Sequence, residues 1–366
     1  MNYTKPTTFG IFLFISFIYN AQYNSDNLKI MGTDNIEVPA NFNISFSYNN
    51  LRLYPIVAND VFLKEHDKIG EFTLLKDAIE KKKIIISETG ARTQSETETE
   101  TENITRVQPE REVNHQTEIY NNQIIQSNSI SGGNVSGTVN TLIAKNISTD
   151  TIFVMAGEVV KGGKQDRVIG QDVVIAPGEE INLSAFCVEK NRWVTKNENQ
   201  GTFTGYYNVT SMDIRKSVTE EKNQSEVWKK VDLHTSKNKA SSATSTYTNL
   251  ENSDDYQKNV KKYMEKFSTL FKNNNKIIGF IAVTGNEIIG CDMFATHDLF
   301  ISSYENLIHS YIGHAITNGS NVSISNDKVF SYLNNFLKNE DKQEEKIEKN
   351  GTLYKWKNKK LHITTY

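Results

Sequence analysis

The chain has 366 residues, 37% of them hydrophobic, with 18 Phe and 16 Tyr, enough to bury a sizeable core. Its 41 Lys and Arg against 44 Asp and Glu leave a formal charge of −3, which excludes a broad electrostatic footprint for nucleic acid; local basic clusters such as residues 357–360 read as solvated surface. No segment approaches the roughly 20 apolar residues of a membrane span, so no stable membrane insertion is expected once a leader is removed.

At the N-terminus, Lys5, an apolar run over residues 9–18 and Asn20-Ala21-Gln22 read as a secretory signal cleaved after Ala21. Export, to a periplasm or to the medium, is the expected fate, and residues 22–366 are read as one α+β domain. Its polar insertions fall near residues 90–122 and 235–250. Residues 51–58 read as a strand, 74–83 as an amphipathic helix and 84–86 as a short buried strand, a β-α-β opening. The alternation of Thr and Glu over residues 95–102 marks the first insertion as a surface excursion.

Residues 151–160 are apolar and β-branched, Gly162-Gly163 follows, and residues 165–175 resume the pattern, which predicts a hairpin with a two-residue turn. That register sets Glu158 opposite Arg167 at the end of an apolar face. The next strand leaves a Pro177-Gly178 turn and alternates Ile181, Leu183, Ala185 and Cys187 against Asn182, Ser184 and Phe186. Glu189, Arg192 and Trp193 close it in a short polar turn.

This stretch concentrates the candidate chemistry. Glu158 and Arg167 read either as an ion pair closing a hairpin or as an acid–base group with its clamp. Lys164 and Gln165 beside two glycines read as a solvated tip or as a phosphate-binding turn. Glu189, Arg192 and Trp193 read as a locked turn or as a stacking platform with a second carboxylate.

The motifs Ala156-Gly157-Glu158, Gly162-Gly163-Lys164-Gln165-Asp166-Arg167, Cys187-Val188-Glu189 and Arg192-Trp193 resemble those of the ARG and rhodanese-phosphatase-superfamily-associated protein domain family. The usual form of the motif has Asn where this chain has Asp166. The resemblance continues into residues 278–294 and the helix after them. It implies a single folded unit, and the family's genomic association with ADP-ribosylglycohydrolases implies handling of nucleotide-derived metabolites.

Further along, residues 235–249, rich in Ser, Thr, Lys and Asn, read as a linker or a long loop. Tyr256, Val260, Tyr263, Met264, Phe267 and Phe271 recur at helical spacing over residues 254–271. A hairpin over residues 277–294, turning at Gly285-Asn286, would set Cys291 opposite Phe280, with Glu287 and Asp292 as surface or strand-end charges. Helices over residues 297–315 and 329–337, a solvated segment at 339–349 and a final strand over 352–365 complete an α+β fold. Its expected form is a mainly antiparallel sheet or sandwich with the C-terminal hairpin and helices packed on it.

Cys187 and Cys291 read as two separate buried thiols, with a disulfide as the alternative that export would permit. The seven histidines show no metal-ligand spacing, and no cofactor signature is present. Two functional readings follow. The first is an exported domain that binds a ligand or partner, such as a phosphate- or nucleotide-containing small molecule, through Lys164, Gln165, Arg167, Arg192 and Trp193. The second is an enzyme on an ADP-ribose-like substrate, with Glu158 or Glu189 as general acid or base.

Overall fold

The computed structural model describes residues 23–32, 46–89, 140–192, 201–338 and 342–366. The stretches read as a leader over residues 1–21 and as an insertion over residues 90–122, together with Trp193, lie outside the described residues. The fold is α+β, as the residue pattern predicts.

Among the described residues two large β structures stand beside a small three-stranded sheet of Thr73–Leu74 (β4), Ile152–Val154 (β7) and Val173–Ile175 (β10). Leu51–Ala58 (β3) is a strand from its first predicted residue to its last, and all but one of its residues are buried. It pairs with Leu28–Ile30 (β1) on one side and Ile277–Thr284 (β13) on the other. The sheet continues through Glu287–Phe294 (β14) and Lys359–Thr365 (β16) to Gly351–Trp356 (β15), all antiparallel. The stretch read as one final strand is therefore a hairpin, β15 to β16. Lys357 and Asn358 both take positive φ, at 50° and 61°, the conformation of a two-residue turn that matches strand twist.

The second structure is a closed barrel of six antiparallel strands, in which each strand satisfies its neighbours' backbone and no edge is left open. In chain order these are Ile84–Glu88 (β5), Thr141–Asn146 (β6), Glu158–Gly162 (β8), Arg167–Ile169 (β9), Glu180–Cys187 (β11) and Thr202–Val209 (β12). Leu142, Ala144, Val160, Ile169, Leu183 and Ala185 belong to its apolar core. Leu75, Ala78 and Ile79 of the helix Leu75–Glu80 (α2) join that core.

One long helix links the two. His297–Asn318 (α6) buries more than half of its residues because it packs on β13 and β14 and also against barrel strand β12. Asp254–Phe267 (α5) lies against α6, with Tyr256, Val260, Tyr263 and Phe267 buried as the helical spacing predicts. Phe271, Phe280, Phe300 and Tyr304 fill the junction with ring centroids 4.8–6.2 Å apart.

Two registers differ from expectation. Arg167 stands opposite Val160, and Val168 opposite Val159, so Glu158 and Arg167 do not face each other. Gly162 ends β8 rather than starting the turn. A Cβ on Gly162 would stand 2.6 Å from the Thr202 carbonyl oxygen, and this close approach of β12 holds the glycine inside the ladder. In the second hairpin a register shift beside Ala282 moves Cys291 opposite Ile281 and leaves Asp292 opposite Phe280.

Candidate functional site

The predicted site residues fall into two groups at opposite ends of β8. Glu158 is its first residue, and the Gly163–Asp166 turn leaves its last, roughly 13 Å away by strand rise. The turn end is a closed hydrogen-bond network. Arg192 Nε donates to Glu189 Oε2 at 2.8 Å, Nη1 donates to the Gly163 carbonyl at 2.8 Å, and Nη2 reaches the Gly162 carbonyl and Asp166 Oδ1 at 3.1 and 3.2 Å. Arg192 thus directs its donors into the protein as a brace for the turn. Glu189 Oε2 also accepts from the Asp166 amide at 3.1 Å, so the two motifs hold one another.

Asp166 is fully buried and acts as the second brace. It accepts from the Gly162 amide at 3.1 Å and from the hydroxyls of Thr248 and Thr246 at 3.0 and 3.4 Å. Both threonines come from the polar stretch read as a linker or a long loop. That stretch packs onto the site: Thr246 bridges to Glu189, and the 3-10 turn Tyr247–Asn252 starts with the Tyr247 amide on the Val188 carbonyl. Gln165 is buried, donating to the Lys190 carbonyl at 3.2 Å, while the Lys164 side chain points to solvent 4.0 Å from Glu88.

Arg167 is buried beside Glu88 at 3.5 Å and donates to the Gln165 carbonyl at 3.0 Å. Its Nε has no hydrogen-bond partner among the described residues. Cys187 sits opposite it; burial pushes the thiol up while Arg167 opposes that shift. Both cysteines are free and buried.

At the other end of β8, Glu158 is 3% exposed. Its carboxylate accepts from the Met155 amide at 2.7 Å and from the Tyr206 hydroxyl at 3.0 Å. Burial outweighs those bonds and pushes its pKa up to about 7.

Behind Glu158 lies a buried charge chain that sequence reasoning missed. Asp292, read as a surface or strand-end charge, is fully buried and receives Arg215 at 2.9 Å, His362 at 3.0 Å, Thr364 at 2.6 Å and Tyr311 at 2.5 Å. Its alternate position on β14 points it inward, and four partners compensate the burial. Burial alone would raise its carboxyl, but Arg215 and His362 hold it well below the usual range. His362 continues to Asp172 at 2.6 Å; burial alone would lower the imidazole, but the carboxylates on either side raise it. Asp172 accepts from the Ala156 amide at 2.7 Å and Arg215 Nε donates to the Ala156 carbonyl at 3.0 Å, so the chain grips the turn that aims Glu158.

Tyr206 leads from Glu158 into a cleft of about 290 Å³ where the barrel meets the helices. The barrel side offers Tyr206, Tyr207 and Asn208 of β12 with Lys76 and Glu80 of α2. The helical side offers Glu251, Tyr256, Gln257 and Val260, and His309 of α6. Burial, with Lys76 nearby, pushes the His309 imidazole down to about 4. None of these residues carries a motif; the helices read over residues 74–83, 254–271 and 297–315 place Lys76, Glu80, Tyr256, Val260 and His309 on elements, while residues 206–208 carried no expectation. Among the described residues, no group of three or more His, Cys, Asp or Glu side chains could hold a metal ion, and no helix is long and apolar enough to cross a membrane.

These features define an α+β protein whose closed barrel is joined through one buried helix to an antiparallel sheet, with motif residues bracing a turn at one barrel end and a polar cleft at the other. The chain belongs to the ARG and Rhodanese-Phosphatase-superfamily-associated Protein domain family, whose model matches residues 41–364. No curated protein and no solved structure matches it.

Proposed function

We propose that this protein is an exported binding protein for a small polar ligand, seated in the cleft between barrel and helices. The observation that carries the reading is the cleft itself, about 290 Å³ and lined by facing polar side chains from β12, α2 and α6. The leader-like residues 1–21 support export. Tyr23, the second residue after the expected cleavage point, is buried and donates to the Lys360 carbonyl, so a processed chain would begin at a docked position.

The reading in which Lys164, Gln165, Arg167, Arg192 and Trp193 hold a phosphate or nucleotide draws on their cationic chemistry, with Lys164 exposed. The donors of Arg192, however, are directed at backbone and carboxylate oxygens of the chain itself. A second function, acid–base catalysis on a ligand in the cleft, is favoured by one observation. Glu158, with its pKa near neutrality, bonds Tyr206, which lines the cleft.

The test is a thermal-shift screen of the chain from Gln22 onward with sugars, amines, nucleotides and ADP-ribose, repeated on Glu80→Gln and Lys164→Ala. Stabilisation altered only by Glu80→Gln supports the cleft. Stabilisation by ADP-ribose lost only in Lys164→Ala moves the site to the turn, and no shift with any compound refutes both. N-terminal sequencing of exported protein should read Gln22.

A further inference from the structure

We propose that the cleft takes a small organic cation, a protonated amine, held by acceptor oxygens and tyrosine rings. The inference rests on the cleft being the ligand site. It follows from what each lining group has left to offer.

Tyr206 spends its hydroxyl proton on Glu158, so toward a ligand it has lone pairs and a ring to give. Gln257 spends one of its two amide N–H groups on the Leu250 carbonyl, at 2.9 Å, which leaves its carbonyl oxygen as its acceptor and one N–H as its donor. Glu80 and Glu251 are exposed where the cleft opens, and Tyr207 and Tyr256 add two further rings.

On the opposing side, Lys76 is the charged donor of the lining, and Lys161 reaches Glu251 from outside it at 2.8 Å. His309 stays a neutral imidazole at physiological pH. Counting Lys161, the charges of Lys76, Glu80 and Glu251 balance, and ionised Glu158 behind Tyr206 tips the site negative. Asp172 and Arg215 are the charged groups that act on Glu158 from its buried side. An anion would be repelled by Glu80, Glu251 and Glu158 and attracted by Lys76 and Lys161, and for a cation each of these signs is reversed.

Calorimetric titration of the mature chain with putrescine, choline, glucose and ADP-ribose at about pH 6 and pH 8 tests this. The expected result is binding of an amine that tightens on the order of threefold to tenfold from pH 6 to pH 8, as one unit charge is added nearby. Glu80→Gln, an exposed change, should weaken it, Lys76→Met should strengthen it, and Glu158→Gln should abolish the pH dependence. If glucose or ADP-ribose binds instead and Glu80→Gln does not weaken it, the cation assignment falls while a ligand site survives. If none of the four binds, the assignment falls together with the cleft reading.

Discussion

Replacing Glu158 by Gln should remove most of one pH-dependent component of stability. In the folded chain its carboxyl titrates near 7, against an ordinary value of 4.5 in an unfolded chain. Between those values the unfolded state has released its proton and the folded state has not, so stability falls as pH rises through the window. A shift of that size is worth about 3 kcal/mol at roughly 1.4 kcal/mol per unit. Glutamine keeps an oxygen for the Met155 amide and can turn its N–H toward Tyr206, so packing is preserved. Urea unfolding at about pH 4 and pH 8 would measure the difference. His362, Asp292 and the other titrating groups are common to both proteins, so the variant should gain about 3 kcal/mol on the wild type across that span. Parallel pH profiles for the two proteins would refute the burial argument.

Three further outcomes follow from the buried polar groups. Arg215→Met strands Asp292, Thr364 and the Ala156 carbonyl, and should cost about 3–5 kcal/mol in denaturant unfolding; a loss under about 1 kcal/mol would mean that the chain of charges is not stabilising. Asp166→Asn should be far milder than Asp166→Ala in the same assay, because an amide can donate to Thr246 or Thr248 and still accept from Gly162, whereas alanine leaves buried donors unpaired at roughly 1–3 kcal/mol each. Equal losses for the two variants would contradict this. Gly157→Ala combines a φ of +94° with a Cβ 2.9 Å from both Arg215 Cγ and Val209 Cγ1, and a drop in melting temperature of several degrees is expected, with wild-type behaviour counting against the strain.

Where burial follows a simple period, the sequence is readable. β3 and α5 start where the alternation and the helical spacing place them, because each presents a continuous apolar face to one core. The turn after β8 is different. Gly162-Gly163 looks like a two-residue turn, but the backbone of β12, distant in sequence, captures Gly162, and Asp166 and Arg192 stabilise a wider loop. The polar composition of residues 235–249 resembles solvated linker, yet Thr246 and Thr248 are the partners that make a buried Asp166 tolerable. Asp292 was illegible for a related reason: its compensation comes from Arg215, Tyr311, His362 and Thr364, scattered over three elements. Of the site, the sequence marked Glu158 and the turn; the cleft arises from packing between β12, α2 and the helices, which no local pattern encodes.

The antiparallel sheet has a kinetic consequence. β3 is made early in synthesis, yet Tyr54 pairs with Ile281, on the order of 200 residues later, and β14 must wait for Ile363 and Thr365 of β16. Closing such distant pairings carries a large loop-entropy cost before contacts repay it, which places this topology among slow folders. Until the last strand arrives, the apolar faces of β3 and β13 have no complete sheet to enter. An emerging chain would therefore spend a long time unfolded, open to chaperones and to threading through a translocation pore, and at risk of aggregation wherever neither is at hand.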